Sequence, residues 1–231
     1  MKNFSIPFIL GVVAIFTACS NDDNNNIDPT IQNPSSYSFE RNGESTVSYD
    51  GQTTRIKMGQ ELLTQFNVNT NTLDKLSAMF AHVEGAADFE DTNLNTSDKS
   101  LRSKVAASAD YFSLNATDQA LIRADLDGFI NSQVNEVFPN WNVTAQPGVA
   151  GQLADGNRTR YVGAKGLEYN QLFAKSLIGS LMADQMLNNY LSHDVLDAGD
   201  NRVNNQSGIV AEGKTYTSME HFWDEAYGYA Y

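Results

Sequence analysis

Residues 166–191 read GLEYNQLFAKSLIGSLMADQMLNNYL, and the distribution of their apolar side chains decides the fold class. Leu172, Phe173, Leu177, Ile178, Leu181, Met182, Met186 and Leu187 spread around much of the circumference of a 3.6-residue helix. A helix that is apolar on most sides is one enclosed by other helices. Glu168, Lys175 and Asp184 interrupt the run well before the roughly 20 apolar residues of a membrane crossing, so the segment reads as the centre of a helical bundle. Gly179, in its middle, costs about 1 kcal/mol relative to alanine, and close approach of a neighbouring backbone would offset that cost.

The segments that precede it supply the partners. Ile56, Leu62, Leu63 and Phe66 share one helical face, and Leu73, Leu76, Phe80 and Val83 share another behind the start signal Asn71-Thr72. Leu101, Val105, Ser108 and Phe112 predict a third helix capped at Ser97 or Asp98. Ile122, Leu126, Ile130, Val134 and Val137 predict a fourth, starting at Asn115-Ala116-Thr117 and stopped by Pro139. Before these helices, Asn42-Gly43 and Asp50-Gly51 flank segments such as TVSY within residues 37–54, which predicts a small β-hairpin capping the domain. No later run reads as a convincing set of strands. Residues 84–97, 140–160 and 192–216 read as long polar loops.

At the N-terminus, Lys2 precedes the apolar run FILGVVAIF (Phe8 to Phe16), too short to span a membrane, and Thr17-Ala18 precede Cys19. This is the order of charge, apolar core and small-residue cleavage site that a secretory signal requires. Cys19 is the only cysteine, and it sits where such a signal is cut. Phe16-Thr17-Ala18-Cys19 resembles a lipobox, with Phe16 where leucine is usual; the resemblance implies lipid on the Cys19 sulfur and an acylated amino group. Several acyl chains at about 0.8 kcal/mol per buried CH₂ make a long-lived membrane anchor. Three regions follow: a lipoprotein signal at 1–18, a tether at 19–36 rich in Asn, Asp, Pro and Ser, and a helical domain at 37–231. Asp22 and Asp23 resemble the acidic run that routes some lipoproteins to the outer face of the outer membrane; solvating charges in a linker account for them equally.

Removing the signal takes Lys2 from the 15 basic side chains and none from the 28 acidic ones, so the formal charge of −13 becomes −14. Nucleic acid and anionic membrane surfaces are poor partners for such a chain. Gly208 to Thr215 (GIVAEGKT) fits the spacing of a phosphate-binding loop, yet Asn204-Asn205-Gln206-Ser207 is no buried strand to support it. A polar loop leading into a helix is the expectation there. The common zinc-protease and serine-hydrolase signatures are missing from the sequence, and the acidic stretches Asp88 to Asp91 and Asp197 to Asn205 lack the spacing of a calcium loop.

The terminal helix, TSMEHFWDEAYGY over 217–229, holds the best candidates for chemistry. Thr217 and Glu220 form a capping box, and Met219, Phe222, Trp223, Ala226 and Ala230 share the face expected to enter the core. Glu220, His221, Asp224 and Glu225 lie on successive turns, where three carboxylates and an imidazole are suited to iron, zinc or another divalent cation. The same groups serve a structural role equally well, because acids in a first turn complement the helix dipole and one helix cannot complete a metal site. His82, at a helix end, and His193, opening a polar loop, read as structural and solvated respectively.

The run KTYTSMEHFWDEAYGY over 214–229, together with the N-terminal signal and the helical middle, resembles the envelope lipoproteins of the domain of unknown function 4856 family. That family is similar in turn to imelysin-like proteins, all-helical envelope proteins associated with iron acquisition and historically called peptidases. The resemblance implies a mainly α, imelysin-like bundle in the cell envelope. Aligning the imelysin signature G-x-H-x-x-E places His221 at its histidine, Met219 at its glycine and Asp224 at its glutamate, with Glu225 one position on. Family members continue into further helices, so a chain ending at Tyr231 is expected to be truncated, with packing partners and further ligands in the missing part.

Three functions follow as expectations. The first is a noncatalytic, lipid-anchored binding protein with an iron-related or other small ligand near His221, Asp224 and Glu225, with an envelope protein as a further partner. The second is a metal-dependent peptidase of imelysin type, which lacks a general base paired with a complete metal triad. The third is a surface interaction protein or adhesin using the loops and Trp141, Tyr161 and Tyr190.

Overall fold

The structure is a computed structural model that describes residues 35–230. The signal, Cys19, Asp22, Asp23 and nearly all of the tether lie outside the described residues. Of the stretch Met1–Tyr37, only residues 35–37 are described, as a bend.

From Ser38 onward the chain folds as one unit that is mainly helical. Strands β1 (Glu40–Arg41) and β2 (Glu44–Ser45) pair antiparallel across Asn42-Gly43, whose φ values of 55° and 82° are those of the tight turn that this dipeptide favours. Asp50-Gly51, by contrast, makes no turn: it opens helix α1 (Asp50–Gln65). Helix α2 (Leu73–Ala81) starts at Thr72, whose hydroxyl accepts the Lys75 N–H at 3.2 Å, and stops early enough to leave Val83 exposed rather than on the core face. The 84–97 loop contains one helical turn, α3 (Thr92–Asn95).

The helix expected through 101–112 is only one turn long, α4 (Leu101–Lys104), and its cap is Ser100. The chain then breaks at Ala106, whose φ of +48° is costly for any side chain. Distant partners hold the break open. The Ala106 N–H donates to Ser180 O at 2.7 Å, and the Ala107 and Ser108 N–H groups donate to the Asp184 carboxylate at 3.2 and 3.1 Å. Helix α5 (Ala116–Ser132) continues through a π-helical turn, Gln133–Val137, and a short 3₁₀ turn that contains Pro139.

Residues 140–160, read as a polar loop, contain a hairpin: β3 (Gly151–Asp155) pairs antiparallel with β4 (Arg158–Val162) around Gly156-Asn157. Its residues are mostly exposed on both faces, so no buried alternation betrays it in the sequence. Trp141 stacks on Tyr161 with ring centroids 3.4 Å apart.

The apolar segment 166–191 forms one long helical rod over residues 169–190. It runs as α6 (Tyr169–Leu177), then a π-helical turn at Ile178–Ala183 and another at Met186–Tyr190. Phe173 sits at the centre of the core, its ring 5.0 Å from that of Phe66 and 5.2 Å from that of Phe80, among Met58, Leu62, Leu76, Met79, Leu126 and Ile130. Enclosure is one-sided. The π turns shift the register of successive faces, leaving Ile178 and Leu187 exposed and Gly179 with no atom within 4 Å of the place a Cβ would occupy. The close-packed glycine is instead Gly228 in the last helix, where a Cβ would lie 2.7 Å from Tyr49 Cβ and 2.9 Å from Gln52 Cβ. Two short helices, α7 (His193–Leu196) and α8 (Asn201–Gln206), lead to that helix, α9 (Ser218–Ala230). Among the described residues no helix is long and apolar enough to cross a membrane.

Candidate functional site

Helix α9 starts on the reciprocal cap that its sequence predicts. The Thr217 N–H donates to Glu220 Oε2 at 2.8 Å, and the Glu220 N–H donates back to Thr217 Oγ1 at 3.2 Å. Glu220 also accepts a two-pronged bond from Arg41, at 2.9 Å from Nη1 and 2.8 Å from Nη2, which ties the first hairpin to the helix. Its hydrogen bond from Arg41 holds the Glu220 carboxyl below the usual carboxylate range.

The core-facing side of α9 departs in part from the one expected. Ala226 is buried and Phe222 packs against the core, as expected, but Trp223 is 53 % exposed and Ala230 is exposed, whereas Asp224, Gly228 and Tyr229 are buried. Gly228 lets α1 approach, and this brings the start of α1 over the polar side of α9. Asp224 Oδ2 accepts the Ser48 N–H at 2.8 Å. At the next residue, Glu225 Oε1 accepts from Gln52 Nε2 at 2.9 Å, and the same amide nitrogen lies 3.3 Å from the Tyr190 hydroxyl.

The four residues of the expected ligand set are therefore divided. Glu220 is committed to Arg41 and Asp224 to the Ser48 backbone, and among the described residues no three His, Cys, Asp or Glu side chains are grouped to hold a metal ion. Glu220 and Asp224 drop out of the site as structural groups. His221 and Glu225 stay together, 3.8 Å apart between Nε2 and Oε2. The His221 ring stacks on Tyr216 at 4.6 Å, and its Nδ1 is buried without a hydrogen-bond partner among the described residues. An unpaired buried imidazole nitrogen costs stability, and His82 Nε2 is in the same position elsewhere in the fold.

His221 and Glu225 line a cavity of about 410 Å³, within the range of small-molecule sites. The start of α1 contributes Tyr49, Asp50, Gln52 and Arg55; Lys99 and Lys104 come from the α4 region, and Tyr190 from the long helical rod. Arg55 is only 6 % exposed. Its Nε donates to Ser100 O at 3.2 Å and its Nη1 to Gly51 O at 3.3 Å. Burial, reinforced by the Arg55 charge and only partly opposed by Glu225, lowers the Lys104 pKa, and Lys104 Nζ lies 5.8 Å from the centre of the Tyr190 ring. Burial likewise pushes the Tyr190 and Tyr229 phenols up, keeping both as neutral hydroxyls. Arg55, Lys99, Lys104 and Gln52 were not among the sequence candidates. One signal was available: Arg55 sits on the same stripe as Met58 and Leu62, where a charge is anomalous.

Other sequence candidates have neighbours of their own in the fold. His82 Nδ1 lies 2.7 Å from Asp88, and His193 Nδ1 lies 2.9 Å from Asp197. The 208–215 segment follows helix α8 rather than a strand, so the frame of a phosphate-binding loop is missing. Tyr190 is buried, and Trp141 and Tyr161 occupy each other's faces.

A family model described as domain of unknown function (DUF4856) matches residues 34–231. No curated protein and no solved structure matches the chain.

Proposed function

The chain belongs to the family of the domain of unknown function 4856, and we propose that it is an envelope lipoprotein, imelysin-like in its helical architecture and anchored through Cys19, that binds a small solute without catalysis. The observation that carries the binding reading is the cavity between α1 and α9, which His221 and Glu225 line together with Arg55 and Lys104. An iron-related ligand fits this reading as a complex rather than as a bare ion. Arg55 and Lys104 share the cavity with no carboxylate oxygen within 4.0 Å of either among the described residues, which disfavours a bare cation beside them. The signal-like start of the sequence supports attachment to the outer membrane, and the acidic pair Asp22-Asp23 supports a surface-facing orientation.

Attachment is tested by feeding cells labelled palmitate: the wild type incorporates label and Cys19→Ser does not. Label in neither or in both would contradict the anchor. Binding is tested by thermal shift against metal ions, metal chelates, organic acids and sugars. At least one should raise the Tm of the wild type but not of His221→Ala; a panel that moves neither protein, or both alike, would overturn the assignment.

A further inference from the structure

Resting on the solute-binding reading above, the geometry points to an oxyanion as the ligand's recognised group, a carboxylate or phosphate held in the α1–α9 cavity by Arg55, Lys104 and the first turn of α1. We infer this from charges that the fold leaves unmatched. Arg55 is buried, yet among the described residues no carboxylate oxygen lies within 4.0 Å of its guanidinium, which meets neutral groups instead, the Ser100 and Gly51 carbonyls and the Tyr229 phenol. A buried charge without a counter-ion is costly, and native proteins seldom keep one for stability. Lys104 is in the same position: it faces the cavity beside Arg55, without a carboxylate within 4.0 Å among the described residues. Two like charges held together in a partly desolvated cavity repel, and an anion between them converts that repulsion into attraction.

The backbone adds to this. The first amides of α1 to bond back are those of Gln52 and Thr53, both to Tyr49 O, at 3.1 and 3.3 Å. The amides of Asp50 and Gly51 precede them, at the end of a sixteen-residue helix where donors and the positive dipole gather. The cavity is not uniformly positive, because Asp50 and Glu225 line it as well. Glu225 accepts from Gln52 on one oxygen, and its other oxygen, 3.8 Å from His221 Nε2, has room to accept a donor such as a hydroxyl of the same ligand. Lys99 is neutralised by Asp98 at 2.7 Å and contributes least. His221 lines the same cavity.

The test uses the soluble chain lacking residues 1–18 with Cys19→Ser, titrated with inorganic phosphate, citrate and glucose by calorimetry at constant ionic strength. Phosphate, citrate or both should bind the wild type and glucose should not. Lys104→Gln should weaken that binding about tenfold, the loss of one charge-assisted hydrogen bond, while leaving the anion-free Tm unchanged or higher. Arg55→Lys, which keeps the charge but not the fork, should weaken it further without unfolding the chain. Phosphate binding alone identifies a phosphate site, and citrate alone a carboxylate site; either supports the inference. Anions that fail to bind, or that bind wild type and Lys104→Gln equally, overturn it. If glucose or a metal ion binds through His221 while both anions fail, solute binding stands and the oxyanion does not.

Discussion

Two buried charges in this molecule have opposite surroundings. Asp184, on the long helical rod, is 4 % exposed and accepts the Ala107 and Ser108 N–H groups, with Asn188 Nδ2 at 3.2 Å on its other oxygen. Arg55, at the start of α1, is 6 % exposed and its donors meet neutral groups, the Ser100 and Gly51 carbonyls and the Tyr229 phenol. Asp184 is a staple: its oxygens end the α4 segment and hold the Ala106 kink. Arg55 is a charge left open toward a cavity. Burial alone does not separate structure from function; the completeness of the hydrogen-bond shell does.

The largest effect should follow from breaking the complete shell. Asp184→Ala leaves two buried amides without an acceptor and should cost about 3 kcal/mol, read as a lowered midpoint in urea. If the loss were under about 1 kcal/mol, the staple would be a spectator. Next comes the glycine that brings the two helices together. Gly228→Ala should cost about 2 kcal/mol, because Tyr49 Cβ and Gln52 Cβ are backbone-near and cannot swing away, and it should distort the cavity they line.

The Arg41–Glu220 pair is more exposed, with 28 % and 37 % of the two side chains accessible, so Arg41→Ala should cost less than either of these, read as a smaller fall in the urea midpoint. Its sign with pH is definite. Because Glu220 titrates below the ordinary carboxylate value in the folded state, its contribution is present above that value and is lost as pH falls through the depressed one. Acid titration of Arg41→Ala should therefore show a shallower loss of stability than the wild type. At the small end, Gly179→Ala meets open space and should gain about 0.5 kcal/mol from helix propensity, the reverse of what a tight helix crossing would give. Lys104→Gln should change the anion-free stability by less than about 0.5 kcal/mol.

What was legible in the sequence follows from the range of the interactions involved. The Asn42-Gly43 turn, the Thr217–Glu220 cap, the start of α2 at Thr72 and the core position of Phe173 rest on contacts within a few residues or on helical period. The failure of the helix after Lys104 is set by Asp184 and Ser180, more than seventy residues away, and no local signal at Ala106 announces it. The exposed apolar side of the 169–190 rod follows from its two π-helical turns, which a 3.6-residue count cannot anticipate. The exposed β3–β4 hairpin lacks a buried face to read.

The site was half legible for a related reason. Four polar residues on α9 were visible as a group, but Arg41 and Ser48 claim Glu220 and Asp224 from elsewhere in the chain. His221 and Glu225 acquire their meaning only when Arg55 and Lys104 arrive from other helices.

Backbone amide NMR during a phosphate titration tests the distinction between the two charges most directly. The shifts should move at Asp50, Gly51 and Gln52, around Arg55 and at Lys104, while Ala107 and Ser108, already bonded to Asp184, stay in place. Movement confined to Ala107 and Ser108, or no movement anywhere, would contradict the assignment of the open charge to ligand binding.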